Sequence, residues 1–174
     1  IKGEADRPTG FLRLAYDEKY LYLSCDVRDK EFRSAAETRS LWDGDSLQIG
    51  ISVARTDMIR PNNDGIQETA YAEFGVAPDN RSWVWASMNL NQMPLAAPIP
   101  KLVSKSSASN GILRYRIAVP WETLNIRWRS GLPLRLSVLV NDRDRAGRHW
   151  LEWFGGIADG KDPDAYGEAI TLEK

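Results

Sequence analysis

The chain has 174 residues, of which 43% are hydrophobic and 27% charged, a balance typical of one globular domain large enough to bury a core. Its formal net charge of −1 provides no electrostatic field for nucleic acid or an anionic membrane surface, so neither is expected as a partner. No apolar run approaches the roughly 20 residues of a membrane helix, and no signal-peptide pattern opens the chain. We therefore expect residues 1–174 to form a single soluble domain.

The first half of the chain alternates apolar and polar residues with the two-residue period of half-buried strands. Residues 11–16 and 20–27 flank the short polar connection "DEK", which predicts a β-hairpin. Residues 47–51 alternate in the same way, and after a polar loop containing "RPNNDG" the pattern resumes over residues 67–76. Cys25, the only cysteine, alternates with leucines in the hairpin, so we expect it to be a small core residue.

The remaining segments predict more strands and one short helix. "PWETLNI" places Pro120 at a first-turn position before Glu122, which predicts a connecting helix. Many short strands separated by turns favour an all-β fold, an antiparallel two-sheet β-sandwich of jelly-roll or immunoglobulin-like type, with less than about a tenth of its residues helical. The other predicted strands are residues 82–88, 112–119, 133–140, 148–154 and 168–172.

The chain offers few residues for catalysis. His149 is the only histidine and no Gly-x-Ser-x-Gly segment is present, which disfavours a Ser-His-Asp hydrolase. One cysteine and one histidine are too few for a zinc site, and no glycine-rich phosphate loop is found. The acids Glu73, Glu122 and Glu152 have no spacing that marks a glycosidase pair. We therefore predict that the protein is not an enzyme.

Two acid-rich turns leave two interpretations open. "WDGD", residues 42–45, and "NDRDRAGR", residues 141–148, supply the hard oxygen ligands that calcium prefers, although the EF-hand spacing is absent. Alternatively, the Asn, Asp and Gly residues form turns, and the arginines neutralise the aspartates.

Five segments, in this order, resemble the family 9 carbohydrate-binding modules and the wider group of DOMON-like sandwiches. The resemblance implies a β-sandwich that binds a poly- or oligosaccharide without cleaving it. It implies attachment to a catalytic domain of a secreted bacterial polysaccharide-degrading enzyme, hence an extracellular or periplasmic location. No cofactor is required, and any calcium is expected to be structural. The five segments are "FLRLAYDEKYLYLSCDVRDKEF", "LWDGDSLQIGI", "YRIAVPWETL", "LRLSVLVNDRDRAGRHWLEWFGG" and "KDPDAYGEAITL".

The resemblance also implies which residues contact the sugar. Trp42 matches a tryptophan that stacks on a sugar ring, and Gln48 matches an acidic partner six residues later. An indole suits the apolar C–H face of a pyranose, and an amide both donates and accepts hydrogen bonds. If the segment is extended, Trp42, Ser46 and Gln48 share one face. Candidate additional ring contacts are Trp83, Trp85 and Trp150.

Other family contact positions are not kept. Gly75 stands where the family has an arginine, Leu139 where it has a glutamine, and Gly160 near its second sandwiching tryptophan. A second function class therefore stays open, in which the domain is a structural or adapter sandwich that has lost its sugar site. An exposed Trp42 would favour the binding module over the adapter.

Overall fold

The computed structural model describes most of the chain, and every structural statement below refers to that part. The predicted loop "RPNNDG", residues 67–68 of one predicted strand, residues 171–172 of another and Asn125 of the predicted helix lie outside it. The described residues are 9–54, 69–88, 94–124, 126, 128, 131–158 and 160–170.

Antiparallel strands dominate the described residues and alternate buried with less buried positions, as half-buried strands require. Each strand expected from the sequence has a counterpart in the structure. The strand over residues 103–109 was not expected, because "VSKSSAS" has little apolar character. The strands are β1 (Thr9–Tyr16), β2 (Tyr20–Arg28), β3 (Ser46–Ala54), β4 (Thr69–Val76), β5 (Ser82–Met88), β6 (Val103–Ser109), β7 (Ile112–Pro120), β8 (Pro133–Arg143), β9 (Arg148–Trp153) and β10 (Gly167–Ile170).

The strands form two sheets. The four-stranded sheet has the order β1-β2-β7-β6. The six-stranded sheet has the order β10-β8-β3-β4-β5, and its sixth strand, β9, also pairs with β8. Strand β8 is long enough to pair with β3 along one edge and with both β10 and β9 along the other. The prediction of an antiparallel two-sheet β-sandwich is confirmed.

The core lies between the two sheets. Every second residue of β2 is buried, including Cys25. The alternate residues Leu47, Ile49 and Ile51 of β3 pack in the same cluster. Burying one apolar face of each sheet against the other is the main source of stability in such a fold. The prediction that Cys25 is a core residue is confirmed.

Helical structure is confined to two short 3-10 helices, Thr38–Asp43 and Pro163–Ala165, within the described chain. The segment expected to form a connecting helix makes successive hydrogen-bonded turns, in which the amides of Thr123 and Leu124 both donate to the carbonyl of Pro120. Its Trp121 is buried and donates its indole N–H to the Asp17 carbonyl at 2.7 Å. None of the described helices has the length and apolar character needed to cross a bilayer.

The buried position of Cys25 generates a test of the core. Burial raises the pKa of its thiol to about 12, so the reactive thiolate is scarce at neutral pH. We expect Ellman's reagent to leave Cys25 unmodified in native protein and to titrate one thiol after unfolding in guanidinium. Rapid modification of the native protein would contradict the core packing described here.

Candidate functional site

The first 3-10 helix brings Trp42 to the surface. Its Leu41 is fully buried in a small apolar cluster against Trp83 and Trp85, and the indole N–H of Trp85 donates to the Arg39 carbonyl at 2.8 Å. With Leu41 anchored inward, Trp42 is left 42% exposed. Strand β5 therefore holds the helix from which Trp42 reaches the surface.

The turn after this helix explains the glycine of "WDGD". A Cβ atom on Gly44 would lie 2.2 Å from the backbone nitrogen of Ala35, so no larger residue fits without moving the chain. The hydroxyl of Ser46 then donates to the Leu41 carbonyl at 2.8 Å. Close backbone packing and this hydrogen bond fix the position of the helix relative to β3.

Strand β9 supplies a second exposed indole and a cation between the two rings. Trp150 is 50% exposed. The guanidinium carbon of Arg148 lies 5.3 Å from the ring centroid of Trp42 and 5.4 Å from that of Trp150. Both distances are within the roughly 6 Å range of cation–π attraction. One arginine therefore holds both indoles in place.

A chain of hydrogen bonds runs from Arg148 across the outer face of the six-stranded sheet. Two nitrogens of Arg148 donate to Oδ1 of Asn141, at 3.1 and 2.6 Å, and Nδ2 of Asn141 donates to Oε1 of Gln48 at 2.9 Å. Nε2 of Gln48 donates to Oε1 of Glu73 at 3.2 Å. The ammonium of Lys161 lies 2.6 Å from the same Glu73 oxygen. We call these five residues the polar chain.

The inner members of the polar chain are buried. Gln48 is 7% exposed, and Glu73 and Asn141 are each 1% exposed. Oε2 of Glu73 has no hydrogen-bond partner among the described residues, so this carboxylate keeps an unused acceptor. Desolvation lowers the pKa of Arg148, whose hydrogen-bond acceptor Asn141 is uncharged. The polar chain thus combines a buried anion with a partly desolvated cation beside two exposed rings.

The structure brings some of the expected site residues together and separates others. Trp42 and Trp150 share Arg148, whereas Trp83 and Trp85 lie beneath the 3-10 helix and are partly buried. Gln48 is buried in the polar chain, and both ends of its amide are hydrogen-bonded. The expectation of an extended segment is wrong for Trp42, which lies in a 3-10 helix because Leu41 turns into the apolar cluster.

The three departures from the family pattern have structural consequences. A Cβ atom on Gly75 would lie 2.4 Å from the ring of Trp85, so this indole occupies the space that an arginine at position 75 would need. Leu139 is fully buried with Ile157 and Tyr166, where a segment after β9 covers the sheet. Gly160 is exposed and has a φ of +146°, a backbone conformation that favours glycine.

Sequence reasoning missed Arg148, Asn141 and Lys161. Arg148 and Trp150 are two residues apart on one strand, a spacing that places both side chains on one face. Asn141 pairs directly with Trp150 in the ladder between β8 and β9. The strand period could therefore have identified Arg148, but the position of Lys161 depends on a loop that carries no such pattern.

Three aspartates, just after β2, just before β3 and near the end of β8, form a cluster. Asp29, Asp45 and Asp142 each offer an oxygen, and these oxygens lie within 4.8 Å of one another. Oδ1 of Asp45 accepts from the Arg143 amide at 2.7 Å, and Oδ2 accepts from the Arg33 amide. Burial raises the pKa of Asp45 to about 7 and that of Asp142 to about 6, and the charge of Asp29 adds to both shifts.

An antiparallel β-sandwich that presents indoles beside polar side chains on one sheet suits the binding of sugars, whose rings have an apolar face and hydroxyl groups at the edge. The family model described as "Carbohydrate family 9 binding domain-like" matches residues 2–174, so the chain belongs to this family. Comparison with curated protein sequences gives no match.

Two solved structures share the fold. A family 9 carbohydrate-binding module from Caldicellulosiruptor kristjanssonii in complex with cellotriose has a TM-score of 0.71 and 18% identity, over 96% of this chain and 76% of that chain. A family 9 module from the same organism in complex with glucose has a TM-score of 0.69 and 19% identity, over 95% and 77%.

The contact between Gly75 and Trp85 gives a prediction about the support of the site. Replacing Gly75 with alanine forces the Trp85 ring to move, and we expect the free energy of unfolding to fall by about 1 to 3 kcal/mol, the usual cost of overpacking. Chemical denaturation measures the change. Gly155→Ala is the control, because its Cβ would meet nothing closer than 3.7 Å. Equal stability of the two variants would show that Trp85 does not lie against Gly75.

Proposed function

We propose that this domain is a non-catalytic module that binds an oligosaccharide, or part of a polysaccharide, on the outer face of its six-stranded sheet. The observation that supports the proposal is the pair of half-exposed indoles, Trp42 and Trp150, held by Arg148 beside the polar chain. Indole rings fixed in this way present a flat apolar surface to a ligand, and their side chains lose little conformational entropy when the ligand binds.

Each residue has a distinct role in this proposal. Trp42 and Trp150 stack on the C–H faces of sugar rings. Arg148 and Lys161 donate hydrogen bonds to the hydroxyl groups at the edges of those sugar rings. Gln48 is a positioning residue, because it is buried and its amide connects Asn141 to Glu73 through a hydrogen bond at each end. Trp83 and Trp85 act one step further away by supporting the helix that carries Trp42.

The similar structures guide the choice of ligand. They contain cellotriose and glucose, which supports cello-oligosaccharides as the first ligands to test on this chain. Membership of the family supports the further proposal that the domain serves a covalently linked catalytic domain of a polysaccharide-degrading enzyme, outside the cell or in the periplasm of a bacterium. The domain would then hold the enzyme close to its substrate and raise its local concentration.

We also propose that the three aspartates hold a structural calcium ion. Two oxygens that each lie about 2.4 Å from one calcium ion are at most about 4.8 Å apart, so the observed spacing fits one shared ion. Oδ2 of Asp29 is buried without a hydrogen-bond partner among the described residues, as is the nearby hydroxyl of Tyr115. Bound calcium would neutralise the carboxylates and tie the end of β2 to β3 and β8.

The stacking role of Trp42 and Trp150 can be tested by replacing each with alanine. We expect each variant to bind the best cello-oligosaccharide more weakly by about 1 to 3 kcal/mol, the usual cost of truncating an anchor in a small site. The free energy of unfolding should change far less than the roughly 3 to 5 kcal/mol that a buried indole costs. Calorimetric titration and thermal unfolding measure the two quantities.

Phe32→Ala is the matched control, since Phe32 is an exposed aromatic side chain outside the site. It should bind like the parent. If Trp42→Ala unfolds far earlier while its folded fraction binds normally, Trp42 is structural and the adapter interpretation is favoured. Failure of the parent to bind any sugar on a glycan array would also favour the adapter.

The calcium proposal predicts that calcium raises the unfolding temperature of the parent protein. A ligand at a hundredfold excess over its Kd stabilises the folded state by about 2.7 kcal/mol. Asp142→Asn should remove most of this response, whereas Asp164→Asn, a change at an exposed carboxylate in the second 3-10 helix, should keep it. Chelation should leave saturating glycan binding intact at low temperature, and loss of binding in a folded protein would place the metal in the sugar site instead.

A further inference from the structure

The outer face of the four-stranded sheet, on the opposite side of the sandwich from the indoles, has its own chemical pattern. Side chains from four neighbouring strands line up there in rows that cross the sheet, because paired residues face the same way. One row is cationic and contains Arg13, Ser24, Arg116 and Lys105. The next row is apolar and contains Ala15, Tyr22, Ala118 and Val103. We call the two rows together the basic face.

The charge of the basic face differs from that of the whole chain. Of the described strand residues that face outward on this sheet, Arg13, Arg28, Lys105, Arg114 and Arg116 are cationic, and the only acid is Asp26. One further carboxylate, that of Asp17 in the turn after β1, lies beside Tyr22. Nη1 of Arg116 pairs with Asp26 at 2.7 Å, and Nη1 of Arg13 approaches it at 4.0 Å. Arg28 and Lys105 form no ion pair with another described residue. The face therefore has a clear excess of positive charge within a chain of net charge −1.

A groove of about 430 Å³ runs along the two rows. The groove is lined by every member of the basic face, so cations border an apolar surface. Tyr22 is 37% exposed and Val103 is 58% exposed. The Tyr22 hydroxyl donates to Oδ2 of Asp17 at 2.7 Å, which fixes the orientation of the ring. The groove thus offers an ordered aromatic surface next to a row of three cations, of which Arg13 and Arg116 share the single carboxylate of Asp26 and Lys105 has no ion pair with a described residue.

We infer that the basic face binds an acidic polysaccharide, specifically a polyuronate. Sugar rings would lie along the apolar row, with a ring stacked on Tyr22, while their carboxylates point to the cationic row. Each row crosses four strands, about 14 Å at the spacing of paired strands, so it is long enough for several successive sugar units. The alternation of an apolar ring face with a carboxylate along the polymer matches the two parallel rows.

Two other occupants fit the face less well. Single-stranded nucleic acid needs aromatic platforms for successive bases, whereas the apolar row has one aromatic ring and small aliphatic side chains. An interface with an acidic protein usually has a larger and more continuous apolar centre than this groove provides. The two sheets are separated by the core, so this site is independent of the proposed cello-oligosaccharide site.

The test uses a hexamer of galacturonic acid and the same hexamer with its carboxylates methyl-esterified. We expect the parent to bind the acid form and to bind the ester at least about tenfold more weakly, with the difference shrinking as salt screens the charges. Arg13→Glu/Lys105→Glu should lose binding to the acid by about tenfold or more. Tyr22→Ala should lose binding to both forms, which a purely ionic attraction would not cause.

Arg39→Glu/Arg145→Glu is the matched control, because it makes the same change in net charge at exposed arginines outside the basic face. It should bind the acid hexamer nearly as well as the parent. Trp42→Ala/Trp150→Ala should also keep this binding, even if it loses cello-oligosaccharides. Thermal unfolding of each variant shows whether it is folded.

Several outcomes would overturn the inference. These are no binding of the acid hexamer, equal binding of acid and ester, or equal loss in the Arg39/Arg145 control. Loss in the Trp42/Trp150 variant would place polyuronate binding on the other sheet. A single-stranded oligonucleotide that binds tightly while the hexamer does not would identify the face as a nucleic-acid site.

Discussion

The two-residue period of β3 is the constraint on which both the core and the site depend, because this strand is covered on both sides. Leu47, Ile49 and Ile51 pack between the sheets, so the residues between them must face outward. One of them, Gln48, is polar yet buried, and buried polar groups are costly unless they are hydrogen-bonded. Gln48 meets this requirement by bonding to Asn141 on one side and Glu73 on the other. The hydrogen bonds on both sides of Gln48 restrict its side chain, and through Asn141 they order the exposed Arg148.

The exposed part of the site depends on this buried network through Arg148. Asn141 accepts two hydrogen bonds from its guanidinium, which leaves the cation placed between two indoles. The rings are thus ordered before any ligand arrives, and ligand binding has less side-chain entropy to overcome. The same arrangement limits how a sugar approaches. A ring that stacks on the indole surface facing Arg148 must displace the guanidinium, so the free indole surfaces are the favoured contacts.

Much of the fold was predictable from sequence, and the reason is the period. Alternating residues such as Leu21, Leu23, Cys25 and Val27 identify a strand and its buried face without knowledge of its partners. Strand β6 was missed because its inward positions are polar or small, and it is recognised only from its pairing with β7. Trp42 is partly exposed, as the binding-module interpretation requires, but its local conformation is set by the burial of Leu41. Contacts such as Lys161 with Glu73 join distant segments and have no local signal.

Net charge illustrates a different limit of sequence reasoning. A value of −1 correctly describes the field far from the molecule, where positive and negative groups cancel. Within about one Debye length, roughly 8 Å at physiological ionic strength, a ligand responds to the groups that it faces. The antiparallel pairing of β6 with β7 places Lys105 directly beside Arg116, and the pairing of β1 with β2 adds Arg13 to the same row. Residues far apart in sequence thereby create a local positive charge that the net charge of the chain does not indicate. The register of the strands determines where this charge lies.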